Sequence, residues 1–182
     1  MSNEIILDMH YENPRIGNML KGALQKICSG HPGELLFICI GTDRHILDCF
    51  GPLIGSMVRE LNPQILIYGQ LNQPLHAKNI TKEMAMISSM HPDSVIIAID
   101  ASVGDAKDFG NIKMRMGPII PGKALARKLP PIGDYAITGV MGNHLERYNV
   151  TMNNQGSLAP VYAMAKIIAE AICQFYEDRV EE

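Results

Sequence analysis

The strongest constraint on the fold is an alternation between short apolar runs and segments with helical spacing. The runs at residues 34–40, 64–68 and 94–99 have strand length, and segments with helical periodicity lie between them at 50–61 and 79–90. Continuous apolar strands are typical of parallel sheets that are covered on both faces. Strands that are joined through single helices predict parallel pairing with right-handed crossovers.

The flanking segments complete one domain. Helices are predicted over residues 14–28 and 157–179, a half-exposed strand near a sheet edge over 110–116, and a short strand over 135–140. At 182 residues the chain has the length of a single domain, residues 1–182. The predicted fold class is α/β, a three-layer α/β/α sandwich with a mixed, mostly parallel sheet of the phosphorylase/hydrolase-like kind.

The composition indicates which binding partners and which cellular compartment to expect. The formal net charge is -3 and no Lys/Arg cluster stands out, so nucleic acid and anionic membranes are not expected as partners. Neither a signal peptide nor a membrane-spanning run of roughly 18 apolar residues is predicted. The four cysteines lack CxxC spacing, which favours free thiols in a reducing compartment and predicts a cytoplasmic protein. The sequence is compatible with a homo-oligomer.

Two predicted strands are followed by acidic residues. The first strand runs into the loop GTDRHILD, which contains Asp43 and places Asp48 just before the next helix. Asp100 closes the apolar run Val95–Ile99. Ligands of open α/β sheets collect beyond the carboxyl ends of the strands. If the two strands are neighbours, Asp48 and Asp100 face one crevice.

Two carboxylates in one crevice support two kinds of chemistry. Like charges that lie close together cannot both ionise cheaply, so the pair shares a proton and divides into an acid and a base. Alternatively, the pair binds a divalent metal ion that activates water. The residues alone leave both options open.

Structural roles compete with these functional ones. Asp43 suits a turn, Asp48 suits capping of the helix that follows it, and Asp100 suits a turn after its strand. His76 and His144 lie in predicted loops that reach the crevice, and Asn79 or Thr81 is expected to cap the helix after His76.

Other catalytic motifs are weak or absent. A Cys49–His45 pair raises a nucleophilic alternative, although Cys49 precedes an apolar helix. The chain has no GxSxG nucleophile elbow and no glycine-rich phosphate loop with its Lys-Ser/Thr pair. A phosphorylase-like function on the same architecture is therefore the least favoured.

Several segments together resemble the YyaC-type sporulation proteins of endospore-forming bacteria, a family that is similar to the spore germination protease. The segments are IGTDRHILDCFGPLIG, YGQLNQPLHAKN, HPDSVIIAIDASVG, GPIIPGKALARKLPPIGD and ITGV. The resemblance extends from about Leu35 to Ala171. It implies the same α/β/α architecture, which is shared more distantly with the hydrogenase-maturation peptidases.

The resemblance also implies roles for individual residues. Asp48 matches the first-loop acid and Asp100 the strand-end acid that act in peptide hydrolysis in the germination protease. In the maturation peptidases the corresponding acids and a histidine bind a metal, and His144 is the nearest candidate for that histidine. Asp43 and Arg44 match the TDR pattern, where Arg44 would hold a carboxylate or a substrate carbonyl.

The predicted function is a peptidase that acts on a protein or peptide substrate in sporulation or germination, with a divalent metal as an optional cofactor. The alternative is a non-catalytic binding or assembly protein on a protease-like fold, in which the acids cap helices and stiffen loops. Residues 141–158 depart from the family's pattern, which leaves the substrate open.

Overall fold

The structure is a computed structural model that describes residues 4–31, 33–121, 129–143 and 157–180. Within these residues, six strands form one sheet and four helices flank it. The strands are β1 (Ile5–His10), β2 (Leu35–Cys39), β3 (Ile67–Tyr68), β4 (Val95–Gly104), β5 (Asn111–Met116) and β6 (Tyr135–Asn143). The helices are α1 (Ile16–Ser29), α2 (Phe50–Leu61), α3 (Ile80–Met90) and α4 (Leu158–Val180), and a short 3-10 turn spans Ala106–Asp108.

The sheet is mixed and mostly parallel, in the order β1-β5-β6-β4-β2-β3. β2 pairs in parallel with both β3 and β4, and β4 pairs in parallel with β6. On the β6 side, β5 pairs antiparallel with β6, and β1 pairs antiparallel with β5. The α/β fold class is therefore confirmed, and the central strands are joined as the alternation of runs predicts.

Helices cover both faces of the central strands, which explains the continuous apolar runs. All five residues of β2 are buried. Leu35, Phe37 and Cys39 pack in the core beneath α1, α2 and α4. Leu36 and Ile38 point the other way and pack with residues of α3 and with Ile119 and Ile132. This arrangement makes the three layers.

β1 was not predicted. Its residues alternate between the two faces of the sheet, but only Leu7 is buried, so the hydrophobic signal is weak. Antiparallel pairing with β5 decides the conformation, and Asp8 lies opposite Lys113 in that ladder. Cross-strand pairs of opposite charge stabilise such an edge. β5 is consequently second from the edge of the sheet.

β4 and β6 are longer than predicted. The sequence suggests ends at Ile99 and Val140, whereas the two strands stay paired as far as Gly104 and Asn143. Polar residues such as Asp100 interrupt the apolar run without interrupting the ladder. The prediction ended too early because one face of this extension is not buried in an apolar core.

α4 is a core helix that also satisfies the length and composition limits of a membrane span. Its best window has a mean hydropathy of 1.3, and half of that window is buried inside the domain. Val161, Met164 and Ile168 are fully buried beneath the sheet. A buried core helix meets the same limits, so the finding is weak evidence for a span.

The end of β2 requires a glycine. Gly41 has a φ of 142°, and a Cβ atom at this position would collide with the carbonyl oxygen of Asp48. Its N–H donates a 2.8 Å hydrogen bond to the carbonyl oxygen of Leu75. The loop that contains Asp48 therefore folds back over the end of β2 only because residue 41 has no side chain.

Gly41→Ala should lower the free energy of unfolding by about 2 kcal/mol or more, because it adds both backbone strain and a clash. Chemical denaturation measures the change. Gly22→Ala is the matched control, since Gly22 lies within α1 with nothing within 4 Å of a built Cβ. It should stabilise the protein by roughly 0.5–1 kcal/mol. Equal effects of the two substitutions would show that residue 41 does not need to be glycine.

Candidate active site

Three segments meet where β2 and β4 separate. Cys39 and Ile99 are the last paired residues of these strands, and the N–H of Ile40 donates a 2.7 Å hydrogen bond to the carbonyl oxygen of Ile99. Ile40 then forms a parallel bridge with Leu75. The loop after β2, the segment before α3 and the continuation of β4 therefore border one crevice at the carboxyl edge of the sheet.

Asp48 lies in the loop between β2 and α2. The N–H of Thr42 donates a 3.1 Å hydrogen bond to the carbonyl oxygen of Asp48, and the N–H of Cys49 donates to that of His45 at 2.9 Å. These bonds close the loop and leave the Asp48 side chain half-buried. Cys49 occupies the N-cap of α2, and no side chain caps this helix. The capping role suggested for Asp48 is therefore wrong.

Asp100 lies within β4 and not after its end, as the sequence suggested. It pairs with Thr138 of β6, and β4 continues beyond it. Ile99 packs beneath α1, α2 and α4, whereas Ala98 packs on the α3 side. Because side chains alternate along a strand, Asp100 faces the α3 side, where it is half-buried. The turn-forming role suggested for Asp100 is wrong.

The charge of Asp48 affects the ionisation of Asp100. Burial raises the pKa of Asp100 well above its ordinary value, and the charge of Asp48 raises it further. Burial also raises the pKa of Asp48, but His45, the N–H of Thr42 and His76 each act to lower it. Asp48 therefore ionises first, and Asp100 is the carboxyl group that keeps its proton.

His76 is held at the rim of the crevice by Asn79. The Oδ1 atom of Asn79 accepts the His76 N–H at 2.9 Å, and its Nδ2 donates to the carbonyl oxygen of Pro74 at 3.0 Å. Asn79 occupies the N-cap of α3, yet its side chain does not cap the helix. The N–H of Lys78 donates a 3.3 Å hydrogen bond to Nδ1 of His76, which orients the ring at this rim.

The other predicted residues have different positions. Asp43 and Arg44 are exposed, and Asp43 accepts a 3.3 Å hydrogen bond from the Thr42 hydroxyl within a turn. Among the described residues, Arg44 forms no ion pair with an acid. His144 lies outside the described residues. Catalytic or binding roles for these three residues stay predictions.

His45 was missed as a neighbour of Asp48. Its charge is the largest influence that lowers the Asp48 pKa. In the sequence, His45 stands out only as a partner for Cys49, although a spacing of three residues within a turn can place His45 beside Asp48. That spacing is the signal that could have identified it.

Cys49 lacks the environment of a nucleophile. Its thiol donates a 3.0 Å hydrogen bond to the carbonyl oxygen of Ile46. Burial raises the pKa of the thiol, and the charge of Asp48 raises it as well. The reactive thiolate is thus disfavoured, which argues against the Cys49–His45 alternative.

The donor atoms in the described part of the chain do not complete a metal site. Within it, no group of three His, Cys, Asp or Glu side chains comes close enough to hold an ion. Catalytic zinc sites use three protein ligands and a water, whereas Asp48 and Asp100 supply two.

Comparison with known proteins is consistent with the motifs. A family model described as "Protein of unknown function (DUF1256)" matches residues 8–171. The "Uncharacterized protein YyaC" of Bacillus subtilis (strain 168) is 32% identical over 160 residues, which cover 87% of this chain and 76% of the relative. The crystal structure of the NiFe hydrogenase maturation protease HycI from Thermococcus kodakarensis KOD1 matches with a TM-score of 0.47 and 16% identity, over 82% of this chain and 97% of that chain. The resemblance to the YyaC-type family is confirmed.

The pKa of Asp100 predicts an unusual pH dependence of stability. Its folded pKa lies above the unfolded value of about 3.9, so the folded state loses stability as pH rises through the folded pKa. Asp100→Asn removes this cost. The variant should be more stable than wild type at pH 8, by about 1–3 kcal/mol, and the difference should shrink towards pH 4.

Thermal unfolding between pH 4 and pH 8 tests this expectation. Asp93→Asn is the control for the loss of one negative charge, because Asp93 is exposed and precedes the opposite end of β4. Asp48→Asn should weaken the pH dependence, since it removes the charge that raises the Asp100 pKa. A constant difference between Asp100→Asn and wild type over this range would contradict the assignment.

Proposed function

The chain belongs to the DUF1256 family, and we propose that it is a peptidase that hydrolyses a peptide bond in a protein substrate with Asp48 and Asp100. We place this activity in sporulation or germination, because the motifs around both acids resemble the YyaC-type sporulation proteins. The reaction is acid–base hydrolysis by a pair of carboxyl groups.

One arrangement supports the proposal: Asp100 continues β4 where β2 and β4 separate, and the charge of Asp48 in the loop after β2 raises the pKa of its carboxyl group. Neither acid caps a helix, and no ion pair with Lys, Arg or His neutralises either of them within the described residues. Two adjacent carboxyl groups without such partners cost folding free energy. Perturbed groups of this kind cluster at functional sites.

In the first step, the Asp48 carboxylate accepts a proton from a water molecule. The water oxygen attacks the carbonyl carbon of the substrate peptide bond. The protonated Asp100 donates its proton to the carbonyl oxygen, so the tetrahedral intermediate is a neutral gem-diol. Asp48 is then the protonated carboxyl group, and Asp100 is the carboxylate.

In the second step, the intermediate collapses. Asp48 donates its proton to the leaving amide nitrogen, and the Asp100 carboxylate takes back a proton from one hydroxyl of the gem-diol. The C–N bond breaks, and an amine and a carboxylic acid are released. Both aspartates return to their starting protonation states, so the cycle needs no further reactant.

His45 and His76 support this division of roles. Both lower the pKa of Asp48, and neither is among the groups that shift the pKa of Asp100. Their electrostatic influence favours the ionised form of Asp48, which is the form that the base requires. Protein substrates with an extended segment would place a peptide carbonyl between the two carboxyl groups.

Asp48→Asn and Asp100→Asn should each lower peptide turnover by roughly 10³-fold or more, because the reaction loses its base or its acid. Both variants should keep the wild-type fold. The measurement is cleavage of a proteome-derived peptide library, followed by mass spectrometry, with circular dichroism to confirm folding.

Asp93→Asn is the matched control and should cleave at the wild-type rate. Turnover that survives both site substitutions would contradict the proposed mechanism. The same proteins, stripped of metal, are titrated with divalent ions while the melting temperature is followed. A rise in wild type that both Asn variants lose would assign a metal to the pair in place of the shared proton.

A further inference from the structure

The pairing register aligns three polar residues in one row across the sheet. Asp100 of β4 is paired with Thr138 of β6, and Thr138 is paired with Lys113 of β5. Directly paired residues on neighbouring strands project from the same face. Thr138 is therefore the next side chain after Asp100 on the face where the crevice lies.

The hydroxyl of Thr138 is available for a hydrogen bond to a substrate. Thr138 is half-buried, and its hydroxyl makes no hydrogen bond to any residue that the structure describes. The nearby polar groups on this face do have partners. Ser102 donates to the carbonyl oxygen of Gly139 at 3.3 Å, and the Lys113 ammonium donates to Asp108 at 2.8 Å and lies 3.1 Å from Asp8.

The two sides of Asp100 differ in chemistry. On the β2 side, Cys39 is paired with Ile99, and the next residue, Ile40, is buried and apolar. The loop that contains Asp48 follows. On the β6 side stands Thr138. The base thus approaches the substrate from the β2 side, and a hydrogen-bond donor is available on the β6 side.

We propose that Thr138 is a further substrate-contacting residue, whose hydroxyl donates a hydrogen bond to the carbonyl oxygen of the peptide bond that is cleaved. The inference rests on the proposed peptidase function. Neighbouring strands are about 4.8 Å apart, so an atom that receives the Asp100 proton lies within reach of the Thr138 hydroxyl.

The chemical need is clear from the mechanism. Negative charge develops on the carbonyl oxygen while Asp100 transfers its proton, and a second donor that is already positioned stabilises this charge. A neutral hydroxyl stabilises the developing charge and, unlike a cationic side chain, does not lower the pKa of Asp100. Thr138 thereby sets which face of the substrate carbonyl is presented to the water held by Asp48.

The test compares three variants by steady-state kinetics on one cleaved peptide. Thr138→Val keeps the shape of the side chain and should lower kcat on the order of 10²-fold with little change in KM. Thr138→Ser restores a hydroxyl and should recover most of that loss. Ser102→Ala is the matched control, because its hydroxyl is already bonded to the backbone, and it should stay within about twofold of wild type.

A rate of Thr138→Val equal to wild type would overturn the role of Thr138, as would a loss that Thr138→Ser does not restore. Calorimetric binding of a peptide difluoroketone, whose hydrate mimics the gem-diol, provides a second measurement. Thr138→Val should bind it about tenfold more weakly, which is about 1.4 kcal/mol. Equal affinity overturns only the Thr138 role, whereas a wild type that neither cleaves nor binds overturns the peptidase function and this inference together.

Discussion

The parallel register of β2 and β4 is the constraint on which the site depends. Their ladder ends at Cys39 and Ile99, so β2 ends two residues before Gly41 while β4 continues into Asp100. Gly41 lets the next loop turn back over this end and brings Asp48 towards β4. A shift of one residue would point Asp100 into the apolar core beneath α1, α2 and α4, where a carboxyl group would have no solvent and no partner.

The placement of Asp48 and Asp100 together at the carboxyl edge of the sheet lowers the free energy of unfolding. Burial and mutual repulsion raise the pKa of Asp100, and the folded state carries the cost whenever that group ionises. The surrounding structure offsets this cost more for Asp48 than for Asp100. His45, the Thr42 N–H and His76 lower the pKa of Asp48, whereas a hydrogen bond from the Ala101 backbone alone lowers that of Asp100. This asymmetry gives one carboxyl group the proton and leaves the other as the base, a division that acid–base hydrolysis of a peptide requires.

Much of the architecture could be predicted because burial on both faces leaves a strong trace in composition. The runs that became β2 and β4 contain little but apolar residues, and the helices between them show clear periodicity. β1 left no such trace, since its conformation depends on a partner strand about a hundred residues away. The histidine beside Asp48 escaped prediction for a related reason, because a turn and not a periodic element positions His45.

The sequence by itself determined the α/β class and singled out Asp48 and Asp100 as candidates, since local hydrophobicity and strand-to-loop transitions are properties of neighbouring residues. Only the tertiary structure decided that Asp100 lies inside a strand, that Asp48 caps no helix, and that Thr138 stands beside Asp100. Those facts depend on strand register and on the environment of each carboxyl group. Register and desolvation arise from contacts between distant segments, which one-dimensional patterns do not encode.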